Sequence, residues 1–553
     1  MNRILYNAKV YIEKGTYAQA VLVEDGYIKD VGGNGDILKY KNGETQLMDC
    51  RGRTLIPGLN DSHLHLMQFG ESLNQVQIEG VSSIGEMIKR CQVFMQEHPE
   101  RVKSGLHAAG WNQDLFTDGG RLPTRHDLDE ISTDIPIVLE RVCGHIVTSN
   151  TKAIEILGID GNSPQYPDGE FMLGEDGCPN GIFTGNACNV VKSIIPDFTM
   201  EERRQMLIQT MEYAVAHGLT SVQSNDVGTS FMDGPAAFAM FKELYDKGEA
   251  LIRYRHQVCF NDLADFEKYL EEGVYKLGAE NEDSWLKIGP LKLFKDGSLG
   301  ARTALMTNGY VGDPDNHGLE WIKPEEMDRY CALAKKYGMQ VVTHVIGDEA
   351  VRRTIESYEK TFEDGKNNLR HALNHCQITD EALLERIRQD DILVMAQPIF
   401  IDYDMKIVEE LCGKELTSTS YAFGTLIHKG VHLSYGTDCP VEDCNPFPNI
   451  YMAVTRKNRQ GEPRDGFYPK ECVDVETAID AYTIESAYAE FLEDRKGRIK
   501  KGYYADMVLL DRDIFTVDPM EIKDVLPVMT MVGGKVVFEK IGGIYFDSLN
   551  SVS

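Results

Sequence analysis

The chain has 553 residues, of which 42% are hydrophobic and 26% charged, values of an ordinary globular protein that exclude disorder as its main state. Its 57 basic and 87 acidic residues leave a formal charge of −30. That field repels a nucleic-acid backbone and an anionic membrane surface alike, and leaves a neutral or cationic small molecule as the favoured partner. At ~150 residues per domain the length suggests three to four units, or fewer if one is a parallel barrel, which with insertions reaches about 400 residues.

The amino terminus, MNRILYNAKVYIEKG, lacks the apolar segment of a signal peptide, and no stretch approaches the ~18 apolar residues of a spanning helix. Twelve cysteines occur without a CxxC pair, the pattern of reduced thiols. The expectation is a soluble, cytoplasmic chain.

Residues 3–56 alternate with period two between turn residues (ILYNAKVYI, AQAVLVEDGYIKDVG, RTLIPG), and so predict short antiparallel strands. GRIKKGYYADMVLLD and MTMVGGKVVFE repeat that texture after Gly497. Neither end has enough strands for a core of its own. The expectation is one small β-sandwich domain built from both termini, residues 1–57 and 498–545.

Between them apolar strands alternate with helical stretches. LIPGLNDSHLH is followed, after a long gap, by a helix over 201–218 and the strand LTSVQ. Next come a helix near 235–248, the strand IRYRHQV, a helix near 262–272 and the strand LKLFK. A helix near 324–337, VVTHVI, a helix over 348–362, HALNHC, a helix over 380–389 and LVMAQP continue the series. HLSYGTD and the helix VETAIDAYTIESAYAEFL close it after an ill-defined stretch. Eight strands alternating with helices predict an α/β fold, a (β/α)8 TIM-type barrel over 58–497. Residues 70–198 are too long for a loop and read as an inserted subdomain after strand one.

His63 and His65, in DSHLHL at the end of strand one, share a face because alternate strand residues point the same way, and two imidazoles suit zinc. In a chain with 14 histidines the pair alone is open to chance. Lys295 closes strand four, His344 strand five and His375 strand six, and Asp438 lies at the end of strand eight. Barrel sites are built at the carboxyl ends of the strands, so these six side chains are expected to converge on a metal. For Lys295 the competing expectation is a plain lysine paired with Asp296 or another acid.

This order of ligand types resembles the amidohydrolase superfamily. GWNQDLF, PTRHDLDEI, VCGHIVTSNTKA, FKDGSLGARTA and NHCQ resemble its family 3 branch, which includes N-substituted formamide deformylase, over roughly residues 3–540. The resemblance implies a pair of Zn2+ ions, a single-metal site using fewer of the ligands and another divalent metal being alternatives. His63, His65 and Asp438 would hold one, His344 and His375 the other, with a carboxylated Lys295 bridging them. It implies hydrolysis of an amide or N-formyl C–N bond by a metal-activated hydroxide, with Asp438 moving the proton. A cyclic amide, an ester or a decarboxylation would suit the same centre, and a retired scaffold that only binds or regulates is the rival of another class.

His145 is a further catalytic candidate, against a local structural role. Trp111, Asp114, Arg302 and Gln377 are candidate substrate contacts, against packing for Trp111 and pairing with an acid for Arg302. No nucleic-acid or membrane partner is expected, and an oligomer of identical chains is compatible with the fold class.

Overall fold

The computed structural model describes residues 2–117, 119–142, 144–228, 234–279, 281, 283–540 and 545–546. It contains two compact units, one formed by residues 1–66 with 207–553 and the other by 67–206.

The first unit holds an eight-stranded parallel sheet. Its strands are β1 (Leu59–Leu64), β2 (Leu219–Gly228), β3 (Arg253–Cys259), β4 (Leu286–Phe294), β5 (Val341–Val345), β6 (Ala372–His375), β7 (Leu393–Ala396) and β8 (Leu433–Tyr435). They neighbour one another in chain order. Every residue of β2 and β3 is buried, as both faces of a parallel sheet covered by helices require. Beyond the ladder the two edges meet, where Asp438 N donates to His63 O (2.9 Å) and His65 N to Cys439 O (2.7 Å). Gly436 permits this approach, since a Cβ there would lie 2.7 Å from His63 N. The architecture is the α/β barrel that the strand–helix rhythm predicts.

The helices match that rhythm, with three differences. The last expected helix is two, Val475–Ala481 and Ile484–Ala489. The ill-defined stretch between β7 and β8 is a chain of short helices over 401–428. A buried helix, Pro446–Thr455, follows β8 and has no counterpart in the sequence reading, because nearly all of it is apolar and no amphipathic period marks it.

Strands from both termini share two further sheets. Thr54–Pro57 pairs with Met507–Leu510 in a six-stranded sheet, and Arg3–Tyr6 lies within a five-stranded one. One apolar cluster draws on strands of both, including Leu5, Val21, Val10, Leu55, Leu509, Met529 and Met531. Arg253, on β3, reaches out to the terminal strands, donating from Nε to Asp506 Oδ2 (2.7 Å) and from Nη2 to Asp506 Oδ1 (3.2 Å), with both side chains buried.

The second unit has a five-stranded sheet of Gly169–Leu173, Pro179–Gly185, Ile146–Ser149, Ile137–Arg141 and Leu106–Trp111, in that order, and the helix Ile84–Glu97, whose N-cap Ser83 accepts from Glu86 N. All eleven described cysteines are free. No described helix is long and apolar enough to cross a membrane.

Removing one partner of the Arg253–Asp506 pair strands a buried charge. Asp506→Ala is expected to lower unfolding free energy by about 3–5 kcal/mol in denaturant titration, and Arg253→Met/Asp506→Leu by much less. Equal losses in both variants would contradict this.

Candidate metal centre

The carboxyl ends of the barrel strands bring five of the six expected ligands together. His63 Nε2 lies 3.1 Å and His65 Nε2 3.3 Å from Asp438 Oδ1, and His375 Nε2 lies 4.0 Å from Oδ2. The ligand atoms of His63, His65 and Asp438 are all within 4.8 Å of one another. The His344 ring is 4.6 Å, centre to centre, from that of His375.

The outward nitrogens fix which lone pairs face inward. His63 Nδ1 bonds Gln257 Oε1 (2.7 Å), His65 Nδ1 the Asn225 carbonyl (2.6 Å) and His375 Nδ1 Gln397 Oε1 (2.8 Å). Each partner is an oxygen acceptor, so Nδ1 carries a proton, and in the neutral ring Nε2 presents its lone pair towards Asp438. His344 is the reverse: its Nε2 donates to Gly297 O (3.1 Å), and Nδ1 keeps the lone pair. Three imidazole nitrogens converging on one carboxylate are a donor set that fits a divalent ion such as zinc.

Burial leaves the protonated form disfavoured at His63, His344 and His375, but not at His65. It pushes His63 down to about 3, helped by the Lys292 ammonium, and His344 down to about 4. His375 is held well below the usual range for the same reason. At His65 burial is outweighed by the hydrogen bond to Asp438, and its pKa rises. Burial alone would raise Asp438, but the surrounding imidazoles hold it well below the usual carboxylate range.

Lys295 is not in this cluster. Its ammonium lies 2.9 Å from Glu320 Oε1 and donates to Ile322 O (2.7 Å). The lysine that enters is Lys292, fully buried, with Nζ 3.3 Å from His63 Nε2. Strand parity is the reason. Phe294 pairs with His344 and His344 with Asn374, so these side chains form one interior layer, and Lys292 belongs to the layer below on the same face. Lys295 has the opposite parity. Burial pushes the Lys292 amine down to about 7, opposed by Asp438.

Of the remaining candidates, Trp111, Asp114 and His145 belong to the 67–206 unit, and Arg302 and Gln377 to the barrel unit. Trp111 is buried in the core of the 67–206 unit and donates from Nε1 to Leu139 O (3.1 Å), so its indole is a packing residue. Asp114 is exposed and paired with Arg141 (3.0 Å). His145 is exposed in the same unit. Arg302 is an exposed residue with a left-handed backbone (φ 54°). Gln377 is buried and spent, donating to Asp404 Oδ2 (2.7 Å) and Tyr421 Oη (2.9 Å).

Several residues escape the sequence reading. Gln257 and Gln397 orient the imidazoles. The Asn374 amide lies 2.8 Å from His375 Nε2. Asp61 accepts from His63 N (3.0 Å) and from Thr437 Oγ1 (2.7 Å), tying β8 to β1. Its parity with His63 and His65 in NDSHLH is the one signal that points to it. Asn374 and His375 both face the centre because His375 (φ 70°) and Cys376 (φ 51°) are left-handed and break the alternation.

Comparison with known proteins agrees with this geometry. A model described as "Amidohydrolase family" matches residues 46–538. Putative amidohydrolase YtcJ of Bacillus subtilis (strain 168) is 31% identical over 98% of this chain and 100% of its own length. N-substituted formamide deformylase of Arthrobacter pascens is 23% identical over 97% of this chain and 98% of its own length. The crystal structure of an uncharacterized metal-dependent hydrolase from Pyrococcus horikoshii OT3 superposes with a TM-score of 0.76 at 27% identity, covering 94% of this chain and 99% of that one. Barrel, donor set and a match along nearly the whole length agree: this chain belongs to the amidohydrolase family.

Proposed function

We propose that the protein is a metal-dependent hydrolase that cleaves the C–N bond of a small amide or N-formyl compound, releasing a carboxylic acid and an amine. The observation that carries this reading is the convergence of His63, His65 and His375 Nε2 on the Asp438 carboxylate, with every Nδ1 committed outward. The likeness to a formamide deformylase supports the choice of bond.

His63, His65 and Asp438 would hold one Zn2+ ion, His375 and His344 a second. Lys292, rather than Lys295, would bridge them: burial pushes its amine down to about 7, and the neutral amine is the form that adds carbon dioxide to give a carbamate and a proton. When bound, such ions lower the pKa of water towards 7 and polarise a carbonyl. Asp438 Oδ2 takes the proton from the attacking water and returns it to the leaving nitrogen, so that no covalent enzyme intermediate is needed. Burial of the centre strengthens each of these electrostatic interactions.

Asp438→Asn should keep most of its metal and lose activity on N-formyl amines by about 10^2–10^4-fold, the weight of a general acid–base group. Retention of wild-type kcat would remove Asp438 from that role. Metal content supplies a second test: about two equivalents per chain in the wild type and in Lys295→Met, falling to about one or less in Lys292→Ala. Equal metal in wild type and Lys292→Ala would exclude the bridge.

A further inference from the structure

Trp321 stands beside the metal centre with its indole 56% exposed. Its plane is within 7° of the His344 ring at a centre-to-centre distance of 6.3 Å, and Phe294 fills the space alongside, 6.2 Å from Trp321 and 5.7 Å from His344. Next in the cluster, Phe400 lies nearly parallel to His375, at 17° and 5.8 Å. Candidate ligands on consecutive strands are thus each accompanied by a parallel aromatic ring.

A lone exposed aromatic residue is commonplace. The anchoring of this one is not. Trp321 N donates to Lys295 O (2.9 Å), and Lys295 Nζ donates to Ile322 O (2.7 Å), so the backbone is tied on both sides of the indole by one residue. Lys295 N in turn donates to His344 O (3.1 Å), linking the loop to the cluster strand. The Lys295 ammonium and the Glu320 carboxylate are withdrawn from water, with side-chain exposures of 0% and 7%, and Arg353 Nη1 adds a second cation at 2.9 Å from Glu320. Burying such a pair carries a desolvation cost. A loop braced for stability alone would bury its large apolar side chain; here charges are buried and the indole is left in water.

We infer that Trp321, positioned by Lys295, walls a substrate subsite beside the metal centre that takes a flat apolar group, an aryl or similarly planar substituent of the amide. This rests on the hydrolase reading above and deepens it. A rigid aromatic surface loses little conformational entropy on contact, so a planar group stacks on it at small cost. A slim aliphatic amide gains nothing from it. Lys295 acts through Trp321 and is a positioning residue.

The test uses two chelating probes, benzohydroxamate and acetohydroxamate, which present the same oxygens to a metal and differ only in phenyl against methyl. Their dissociation constants on zinc-loaded protein give a preference ratio. Trp321→Ala should lower that ratio by about three- to tenfold, the range expected of one aromatic contact, while leaving acetohydroxamate binding unchanged; Trp321→Phe should retain most of it. Lys295→Met should lower the ratio likewise with its metal intact. Benzohydroxamate should quench indole fluorescence in the wild type and not in Trp321→Phe. An unchanged ratio in Trp321→Ala, with acetohydroxamate still bound, overturns the subsite alone. Failure of both probes to bind the zinc-loaded wild type overturns the hydrolase reading and the inference with it. Loss of metal in Lys295→Met overturns the positioning role.

Discussion

A buried carboxylate faced by imidazole lone pairs is unfavourable by itself and suits a site where a cation would sit among the donors, which requires each ring to be held in one orientation and one tautomer; this constraint runs through the barrel. Around Asp438 these rings are those of His63, His65 and His375. Their orientation depends on Gln257, Gln397 and the Asn225 carbonyl, which lie on β3, just after β7 and on β2. The cluster is therefore a property of the closed barrel, since seven strands or the residues just after them contribute either a donor or the group that aims it. Closure depends on Asp61 and Gly436, which draw the end of β8 against β1 closely enough for Asp438 to meet both strand-one histidines.

The same logic separates the two lysines of LKLFKDG. Lys292 lies inside, beside His63 Nε2 at 3.3 Å and the Asn374 amide at 2.8 Å, and burial pushes its amine down. Lys295 is surrounded by Glu320, the Ile322 carbonyl and nearby Arg353, and stays a charged brace. One lysine thus lies among the candidate ligands and the other ties the loop that carries Trp321. Division of labour between residues three apart follows from the period of two along a strand.

Terminal strands serve the barrel from outside. Through the bidentate Arg253–Asp506 pair they grip β3, the strand that also carries Gln257, so bracing of the barrel and aiming of His63 converge on one element. The 67–206 unit has its own sheet and apolar core, in which Trp111 is spent on packing.

Much of this was legible in the residues themselves. The strand–helix alternation announced the barrel, and HxH on strand one, with His344, His375 and Asp438 at later strand ends, marked the end where the candidate ligands meet, because residue type and strand order survive any detail of packing. What the chain alone did not decide are the features set by side-chain direction. Lys292 and Lys295 are equally plausible in sequence, and only the register with His344 tells which points inward. Gln257 and Gln397 look like ordinary polar residues until the fold places them behind an imidazole. His375 faces the centre through a left-handed turn of backbone that no pattern of hydrophobicity encodes. Sequence determines which chemical groups arrive at the end of each strand; the ladder, its register and its local departures from alternation decide which of them face one another.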